Sequence, residues 1–375
     1  MKGAGDDVEH DLNRLLASKG GKEVRVKIKD IETKLQQTEI KSFENHFERS
    51  EYHDKLVDIC ISAFGPESKC YNDLGYAFIS SEPLVELGVK SFDVLIYNEK
   101  TKHAIFVECK SSANSNRGRY ISDAYEAKTK VIENQTYLED MLGDKIETME
   151  FVICVPSHKT DGIVRELERQ ESEGEIDVNS NDLLLIWQVN LFEGEVLQLF
   201  TRINSRDQQY KSQHNDQNLT KMLGNDGYEV RSEVLTKFYP SSHPLTIGSK
   251  IVTEIITKNM RESTQINGFS KENVEQFCKS SRNLAHYASN KLGKNIVDHF
   301  IGECEKFGLI EKVEEKEDLF KLNLEGKHLS TILNNYKKEY KNEFVARKVK
   351  QKAAKQVVEE YHKKYPDLSN YVDSL

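Results

Sequence analysis

Apolar residues in the first half of the chain fall into short runs separated by polar turns. Two runs rich in β-branched and aromatic residues, 91–98 (SFDVLIYN) and 103–110 (HAIFVECK), flank the polar stretch 99–102 (EKTK). Two such runs with a short connector predict a β-hairpin. Compact apolar runs at 149–156 (MEFVICVP) and 182–190 (DLLLIWQVN) predict two further buried strands.

Stretches with helical spacing alternate with these strands. Residues 42–64 (SFENHFERSEYHDKLVDICISAF) form a predicted helix that ends before Gly65 and Pro66. Helices are also predicted at 121–142 and 159–174. The resulting order, strand–strand–helix–strand–helix–strand, predicts an α/β fold in which a mixed central sheet lies between two helical layers.

The second half of the chain has a different texture. A stretch rich in Asn, Gln, Ser and Asp precedes three predicted helices, the second of which is N-capped by Ser270 with Asn273 in the capping-box position. Two short strands follow the third helix, which is predicted to end at Gly308, and this order is typical of a winged helix-turn-helix. The predicted organisation is an N-terminal arm at 1–41, the α/β domain at 42–203, a linker or insertion at 204–245, a winged-helix domain at 246–324 and a basic C-terminal helix at 325–375.

Composition limits which class of protein and which cellular compartment are expected. The 375 residues are 37% hydrophobic and 31% charged, and no apolar run approaches the roughly 18 residues that cross a bilayer. The first residues contain no apolar signal-peptide core, and the six scattered cysteines form no CxxC pair. We therefore expect a cytoplasmic protein with no membrane segment. The net charge of −9 argues against general attraction to nucleic acid but is compatible with a local basic face.

The hairpin carries the candidate chemistry. Because side chains alternate along a strand, Glu108 and Lys110 share one face at the end of the second strand. Asp93 begins the first strand, and an antiparallel hairpin brings that end beside Glu108. Other Glu-x-Lys tripeptides in the chain lie in helix-like or loop-like contexts, whereas this one ends a buried strand, where charges need a partner or a metal. Two carboxylates and an amine at one sheet end predict a metal site.

This arrangement resembles the PD-(D/E)xK phosphodiesterase superfamily, which includes restriction endonucleases, Holliday-junction resolvases and transposon-end nucleases. The resemblance covers roughly residues 40–200 as a pattern of elements and three positions as identities, with Phe92 in place of the motif's proline. It implies a restriction-endonuclease-like core and a site for Mg²⁺, for which Mn²⁺ would substitute. The implied metal ligands are Asp93, Glu108 and the backbone carbonyl of Cys109. Lys110 would position or help deprotonate the attacking water, and Glu51 on the preceding helix is the candidate for an additional catalytic acid.

Residues that could contact nucleic acid follow the motif and recur in the predicted recognition helix. They are Arg117, Arg119, Lys128, Gln135, Lys291, Lys294 and Asn295. Taken alone, each of the first four is more simply interpreted as an ordinary surface residue.

We therefore expect a Mg²⁺-dependent DNA endonuclease, in the first place a restriction endonuclease, that acts on double-stranded DNA. A homodimer is expected because two strands must be cut with one site in each chain. Two alternatives inside the enzyme class are a transposon-end nuclease and a nuclease for branched DNA or RNA. The alternative from another class is a non-catalytic winged-helix DNA-binding regulator, in which the acidic residues are structural.

Overall fold

The computed structural model describes residues 4–18, 20–111, 117–174, 184–190, 195–199, 213–224, 227–230, 239–261, 268–279, 290–313, 318–326 and 328–364. They fall into two compact units. The sheet unit comprises residues 49–301 and 316–319, and the helical unit comprises residues 1–48, 302–315 and 320–375. Within the described ranges, no helix is both long enough and apolar enough to cross a membrane.

The described strands are β1 (Tyr76–Ser81), β2 (Val94–Asn98), β3 (His103–Cys109), β4 (Thr148–Pro156), β5 (Leu184–Asn190), β6 (Val196–Leu199), β7 (Tyr228–Glu229), β8 (Gly268–Ser270), β9 (Ile310–Lys312) and β10 (Leu319–Leu322). The described helices are α1 (Ala4–Ala17), α2 (Gly21–Ala63), α3 (Lys69–Asn72), α4 (Arg117–Glu133), α5 (Gln135–Leu142), α6 (Thr160–Ser172), α7 (Gln217–Leu223), α8 (Pro244–Arg261), α9 (Lys271–Lys279), α10 (Asn290–Lys306) and α11 (Leu329–Lys364).

A seven-stranded mixed sheet organises the sheet unit. Its strands lie in the order β1–β2–β3–β4–β5–β6–β7. The pairs β3–β4 and β4–β5 are parallel, and the four outer pairs are antiparallel. The parallel pairs follow from the connections, because α4 and α5 separate β3 from β4, and α6 separates β4 from β5. The predicted α/β fold with a mixed sheet is confirmed at this level, while a restriction-endonuclease-like core stays a prediction.

The two faces of the sheet bury two apolar clusters. Alternation places Val107 and Cys109 in one cluster, together with Leu56 and Ile59 of α2. Phe106 lies in the other cluster with residues of α4, α5 and α6. Helices therefore cover both faces, which confirms the predicted layering.

The β2–β3 hairpin is closed by a turn whose geometry the side chain of Asn98 supports. Its Oδ1 accepts hydrogen bonds from the backbone N–H groups of Lys100 (3.0 Å) and Thr101 (3.3 Å). Lys102 adopts a positive φ of 52°. An Asx-type turn of this kind fixes the register of the two strands, and so fixes which residues meet at the far end.

Helix α2 corrects the predicted boundary between an N-terminal arm and the first core helix. It runs without interruption over 43 residues, so residue 42 lies inside it. In the helical unit, Val24 of α2 packs with Leu15 of α1 and with Val357 of α11. The polar stretch 21–41 was predicted as an arm or short helices, whereas in the structure it continues directly into the first core helix.

Glu39 is the clearest of these charge contacts. It is only 2% exposed, and its carboxylate lies 2.5 Å from Lys352 Nζ and 3.6 Å from Lys348 Nζ of α11. These lysines outweigh the cost of burial and lower the pKa of Glu39. The basic C-terminal helix is confirmed as a helix, and two of its lysines, Lys348 and Lys352, pair with α2 within the helical unit.

The predicted linker at 204–245 also contains ordered elements. Helix α7 buries Leu219 and Leu223 under the sheet, and Asp216 caps it by accepting from the Asn218 N–H at 2.8 Å. Strand β7 pairs with β6. This part of the chain is therefore built into the sheet unit, although its polar composition predicted a linker.

The elements expected of a winged helix are present in order. Helices α8, α9 and α10 are followed by β9 and β10, which pair antiparallel. Ser270 and Asn273 form the predicted reciprocal cap, with both hydrogen bonds at 3.2 Å. The division between compact units falls at residue 301, inside α10, so a separate winged-helix domain stays a prediction.

Candidate active site

Asp93 and Glu108 lie next to each other at one end of the sheet, as the hairpin pattern predicted. Val94 pairs with Val107 in the antiparallel β2–β3 register, so the residue before one and the residue after the other are neighbours. Lys110 follows the end of β3, and its N–H donates to the Cys154 carbonyl at 2.9 Å. The structure thus brings the three motif residues to a single sheet end.

The carboxylate of Asp93 is held by two donors. Its Oδ2 accepts from the backbone N–H of Cys109 at 2.6 Å and lies 3.3 Å from His53 Nε2. Because an ionised carboxylate can only accept, the imidazole nitrogen is the donor in this contact. Burial opposes ionisation of Asp93, but His53, Lys110 and the Cys109 N–H together lower its pKa. Asp93 is therefore an oriented anion.

Glu108 is a buried carboxylate, and among the described residues only one of its two oxygens has a hydrogen-bond partner. One oxygen, Oε1, pairs with the ammonium of Lys110. Among the described residues the other oxygen, Oε2, has no hydrogen-bond partner although it is buried. Burial and the nearby Asp93 raise the pKa of Glu108 to about 7 in spite of the attraction of Lys110. A buried carboxylate oxygen without a partner is costly and is a common feature of ligand-binding sites.

His53 is the member of this cluster that sequence reasoning missed. It lies on α2, and its Nδ1 is 3.7 Å from Asp54 Oδ1. Burial favours the neutral imidazole, but Asp93 and Asp54 outweigh burial and raise the pKa of His53 to about 10. The helical face that carries His53 meets the sheet end, and no pattern in the sequence distinguishes that face from the face that carries Glu51.

Glu51, the acid expected from the same helix, is placed elsewhere. Its side chain is exposed, and residues two positions apart on a helix face different directions. The structure therefore does not bring Glu51 to Asp93, and His53 occupies the place that was predicted for it.

The predicted nucleic-acid contacts near the motif divide into two groups. Arg119 is exposed on α4, and the side chain of Arg117 lies outside the described residues, so both stay predictions. Lys128, by contrast, is only 6% exposed, with its Nζ 5.2 Å from the centre of the Phe151 ring. Gln135 donates to Glu139 Oε1 at 2.8 Å and to the Ile146 carbonyl at 3.1 Å. Lys128 and Gln135 are thus occupied in packing and in joining α5 to the start of β4.

The three candidates in the expected recognition helix lie on α10. Asn295 is exposed, while the side chains of Lys291 and Lys294 lie outside the described residues. These contacts stay predictions.

A short segment, residues 239–243, ties α2 to the site. Ser242 Oγ donates to Asp54 Oδ2 at 2.7 Å, and the Ser241 N–H donates to Glu82 Oε1 at 2.8 Å. Glu82 has a positive φ of 47° and its N–H donates to the Asp93 carbonyl at 3.0 Å. A non-glycine residue in that conformation is strained and is held there by its surroundings. The segment lies in the stretch predicted as linker, and composition gave no sign of this role.

Three cysteines also meet beneath the site. Cys60 of α2, Cys109 of β3 and Cys154 of β4 are fully buried, and their sulfur atoms lie within 4.8 Å of one another. The side chain of Cys109 faces the core, because side chains alternate along β3 and Glu108 points to the other face. Sulfur ligands suit soft metals rather than Mg²⁺, and burial raises the pKa of the Cys109 thiol well above its usual value. Because the three cysteines are far apart along the chain, their clustering could not be predicted from the sequence. That the Cys109 carbonyl is a metal ligand stays a prediction.

Comparison with known proteins adds similarity but no activity. An uncharacterized protein of Archaeoglobus fulgidus is 22% identical to this chain over 324 residues, which cover 80% of this chain and 82% of that protein. No family model and no solved structure matches the chain.

Proposed function

We propose that this protein is a metal-dependent phosphodiesterase that cuts DNA internally, in the manner of a restriction endonuclease. The observation that carries the proposal is the meeting of Asp93, Glu108 and Lys110 at one sheet end, with the buried Glu108 Oε2 lacking a hydrogen-bond partner among the described residues. A hydrolase of phosphodiesters needs hard oxygen ligands and a cation in one place. The resemblance to PD-(D/E)xK nucleases rests on the same three residues.

The donor set suits a hard divalent cation. Carboxylate oxygens are the ligands that Mg²⁺ and Mn²⁺ prefer, and Mg²⁺ is usually bound by one or two of them. Asp93 and Glu108 would hold the ion, and it would give Glu108 Oε2 the partner it lacks. His53 donates to the same Asp93 carboxylate, so it would orient that ligand for the ion rather than bind the ion itself.

A cation bound there would polarise the scissile phosphate and neutralise charge that develops during its hydrolysis. The part played by the protein's own residues follows from their charges. Burial works against a charged Lys110, but Glu108 and Asp93 outweigh burial and raise its pKa. Lys110 is therefore a fixed cation in this structure. It is suited to hold a phosphate oxygen and to stabilise the transition state electrostatically rather than to accept a proton.

The orientation of Asp93 is the second contribution of the chain. Two donors on one oxygen fix the plane of its carboxylate, and one of them is the backbone of β3, which cannot move without moving the sheet. A ligand that is already oriented loses little freedom when the ion binds.

A cleavage assay tests the proposal. The purified protein should convert plasmid and phage DNA, methylated and unmethylated, into discrete fragments with Mg²⁺ or Mn²⁺, and EDTA should abolish the reaction. Asp93→Asn should be inactive, and Glu99→Gln, in the exposed turn at the opposite end of the hairpin, should retain activity. DNA binding without cleavage of any substrate would instead support the non-catalytic regulator.

A further inference from the structure

Two cations lie together at the edge of the candidate active site. Ser111 follows Lys110, and its carbonyl accepts from Lys159 Nζ at 2.6 Å. The hydroxyl of Ser111 donates to the Arg49 carbonyl at 3.3 Å. Ser111 therefore contacts both Arg49, on α2, and Lys159, which lies between β4 and α6. The positive charge of Arg49 contributes, after burial, to lowering the pKa of Lys159, as expected for like charges that are close.

Both residues face the reacting end of the sheet. Arg49 and His53 are four positions apart on α2, so they lie on the same side of that helix. Strands β3 and β4 are parallel and in register from His103 and Thr148 to Cys109 and Cys154, so their carboxyl ends lie at one edge. Lys110 follows β3 there, and Lys159 follows β4 shortly before α6 begins. The carboxyl edge of parallel strands is a common place for ligands to bind.

No carboxylate neutralises this pair in the described part of the chain. No aspartate or glutamate there lies within ion-pair distance of the Arg49 or Lys159 side chain, and residues 112–116 (SANSN) contain no acid at all. Many other lysines and arginines of the chain are paired, for example Lys90 with Asp123 and Lys102 with Asp144. In a chain with a net charge of −9, two adjacent cations without an acidic partner indicate a site for an anion.

We propose that Arg49 and Lys159 bind a backbone phosphate of the nucleic-acid strand, next to the phosphate that is cleaved. This assignment rests on the proposed nuclease function, and it adds the contact that would hold the strand in register. Arginine offers a planar pair of donors and lysine a point charge, and both are common partners of phosphate oxygens. Such contacts position a strand and carry no sequence information. The phosphate chemistry alone would also accommodate a small free anion.

The test measures binding separately from cutting. A fluorescently labelled DNA duplex is titrated in EDTA, which prevents metal-dependent cleavage, at a series of KCl concentrations. The variant Arg49→Gln/Lys159→Gln is compared with Lys100→Gln/Lys145→Gln. The control pair removes the same charge from exposed residues near the opposite ends of β3 and β4. Thermal melting establishes that both double variants are folded. The single variant Lys159→Arg keeps the positive charge and should bind DNA like the wild type.

The expected result is a less steep salt dependence for the Arg49/Lys159 variant alone. Each lost phosphate contact lowers the slope of log K against log[salt] by about 0.9. The variant should therefore bind about tenfold more weakly at low salt, with a slope reduced by about one, while the control pair follows the wild type. Equal slopes and affinities for the two variants would overturn the assignment.

Two further outcomes separate the sources of failure. If inorganic phosphate, titrated at constant ionic strength without DNA, binds the wild type but not the Arg49/Lys159 variant, and the two proteins share the same affinity and salt slope for DNA, the pair is a small-anion site and the nucleic-acid assignment is wrong. If the wild type cuts DNA and both variants bind it equally, only this inference fails. If the wild type neither binds nor cuts DNA, the proposed function fails with it.

Discussion

The chemistry of the site depends on the contrast between its two carboxylates. Asp93 receives a backbone N–H and an imidazole, and its pKa is lowered. Glu108 is buried next to the negative charge of Asp93, and its pKa is raised to about 7 in spite of the attraction of Lys110. Two carboxylates whose environments separate their pKa values are characteristic of functional sites.

This contrast predicts how metal binding depends on pH. A cation must displace the proton of Glu108 below about pH 7, so Mn²⁺ affinity should rise about tenfold per pH unit between pH 5 and 7 and then level off. Titration calorimetry at several pH values measures this dependence. An affinity that stays constant over that range would show that Glu108 is not a ligand.

The raised pKa of Glu108 also predicts how the free energy of unfolding changes with pH. The folded state holds the Glu108 proton more tightly than the unfolded chain does, since the pKa is about 7 against an ordinary value of 4.5. Metal-free protein should therefore gain stability from this group as the pH falls through 7, in full below about 4.5, and Glu108→Gln should lack this component.

His53 can be tested against a neighbour on the same helix. His53→Asn removes the nitrogen that contacts Asp93, and we expect a 10- to 100-fold loss of Mn²⁺ affinity, the usual effect of losing a partner that orients a ligand. Glu51→Gln, two residues away and exposed, should bind like the wild type. The opposite ranking of the two variants would restore the acid predicted from the sequence.

At the scale of single residues, the sequence predicts where the three motif residues meet but not which other side chains surround them. Asp93, Glu108 and Lys110 could be placed because strand alternation and hairpin pairing determine where side chains meet. His53 could not, because the angle at which a helix crosses a sheet is set by packing across many residues. The burial of Lys128 was missed for the same reason, since the helical face it occupies depends on where Phe151 lies.

A second polar cluster fixes the opposite end of the sheet. His214 Nδ1 donates to Glu150 Oε2 at 2.5 Å, and Trp187 Nε1 donates to His214 Nε2 at 3.0 Å. The Asn215 N–H donates to Glu150 Oε1 at 2.6 Å. Both nitrogens of His214 are therefore used within the protein. This cluster attaches the segment before α7 to β4 and β5.

Glu150→Gln should destabilise the sheet unit. Burial opposes the charge, but the ring nitrogen of His103, 3.2 Å from Glu150 Oε2, and the hydrogen bond from His214 lower the pKa of Glu150 to about 2. Its ordinary pKa is 4.5, so the contribution is present above pH 4.5 and is lost as the pH falls towards 2. At pH 7 the variant should lose on the order of 3 kcal/mol of unfolding free energy. Glu147→Gln, exposed three residues earlier, is the matched control.

Denaturant unfolding followed by the fluorescence of Trp187, the chain's one tryptophan, measures this loss directly. Equal stability of the Glu150 and Glu147 variants at pH 7 would contradict the account of the cluster.

At the scale of helices and strands, the spacing of apolar residues predicted more of the structure than amino-acid composition did. The hairpin, β4, β5, α6 and the capped helix α9 follow their apolar patterns and turn residues. The unbroken course of α2 and the described parts of 213–230 do not, because many of their contacts are ion pairs and side-chain hydrogen bonds between residues far apart in the chain. Such contacts leave no local period.

For the whole molecule, the proposed nuclease function bears on the oligomeric state. If the Asp93–Glu108–Lys110 site of each chain cuts one strand, cutting duplex DNA in both strands at one place calls for two chains. We expect sedimentation to show a homodimer, at least when DNA is bound. A monomer that makes double-strand breaks at a rate linear in protein concentration would contradict this expectation.

The most direct test of the central claim compares two lysines at opposite ends of the same hairpin. Lys110→Met removes the cation beside Glu108, and Lys100→Met changes an exposed residue in the turn. The rate of plasmid cleavage with saturating Mn²⁺ should fall 100-fold or more in the first, a typical effect of losing one electrostatic stabiliser, and should be unchanged in the second. Equal cleavage by the two variants would show that phosphodiester hydrolysis takes place elsewhere in the protein.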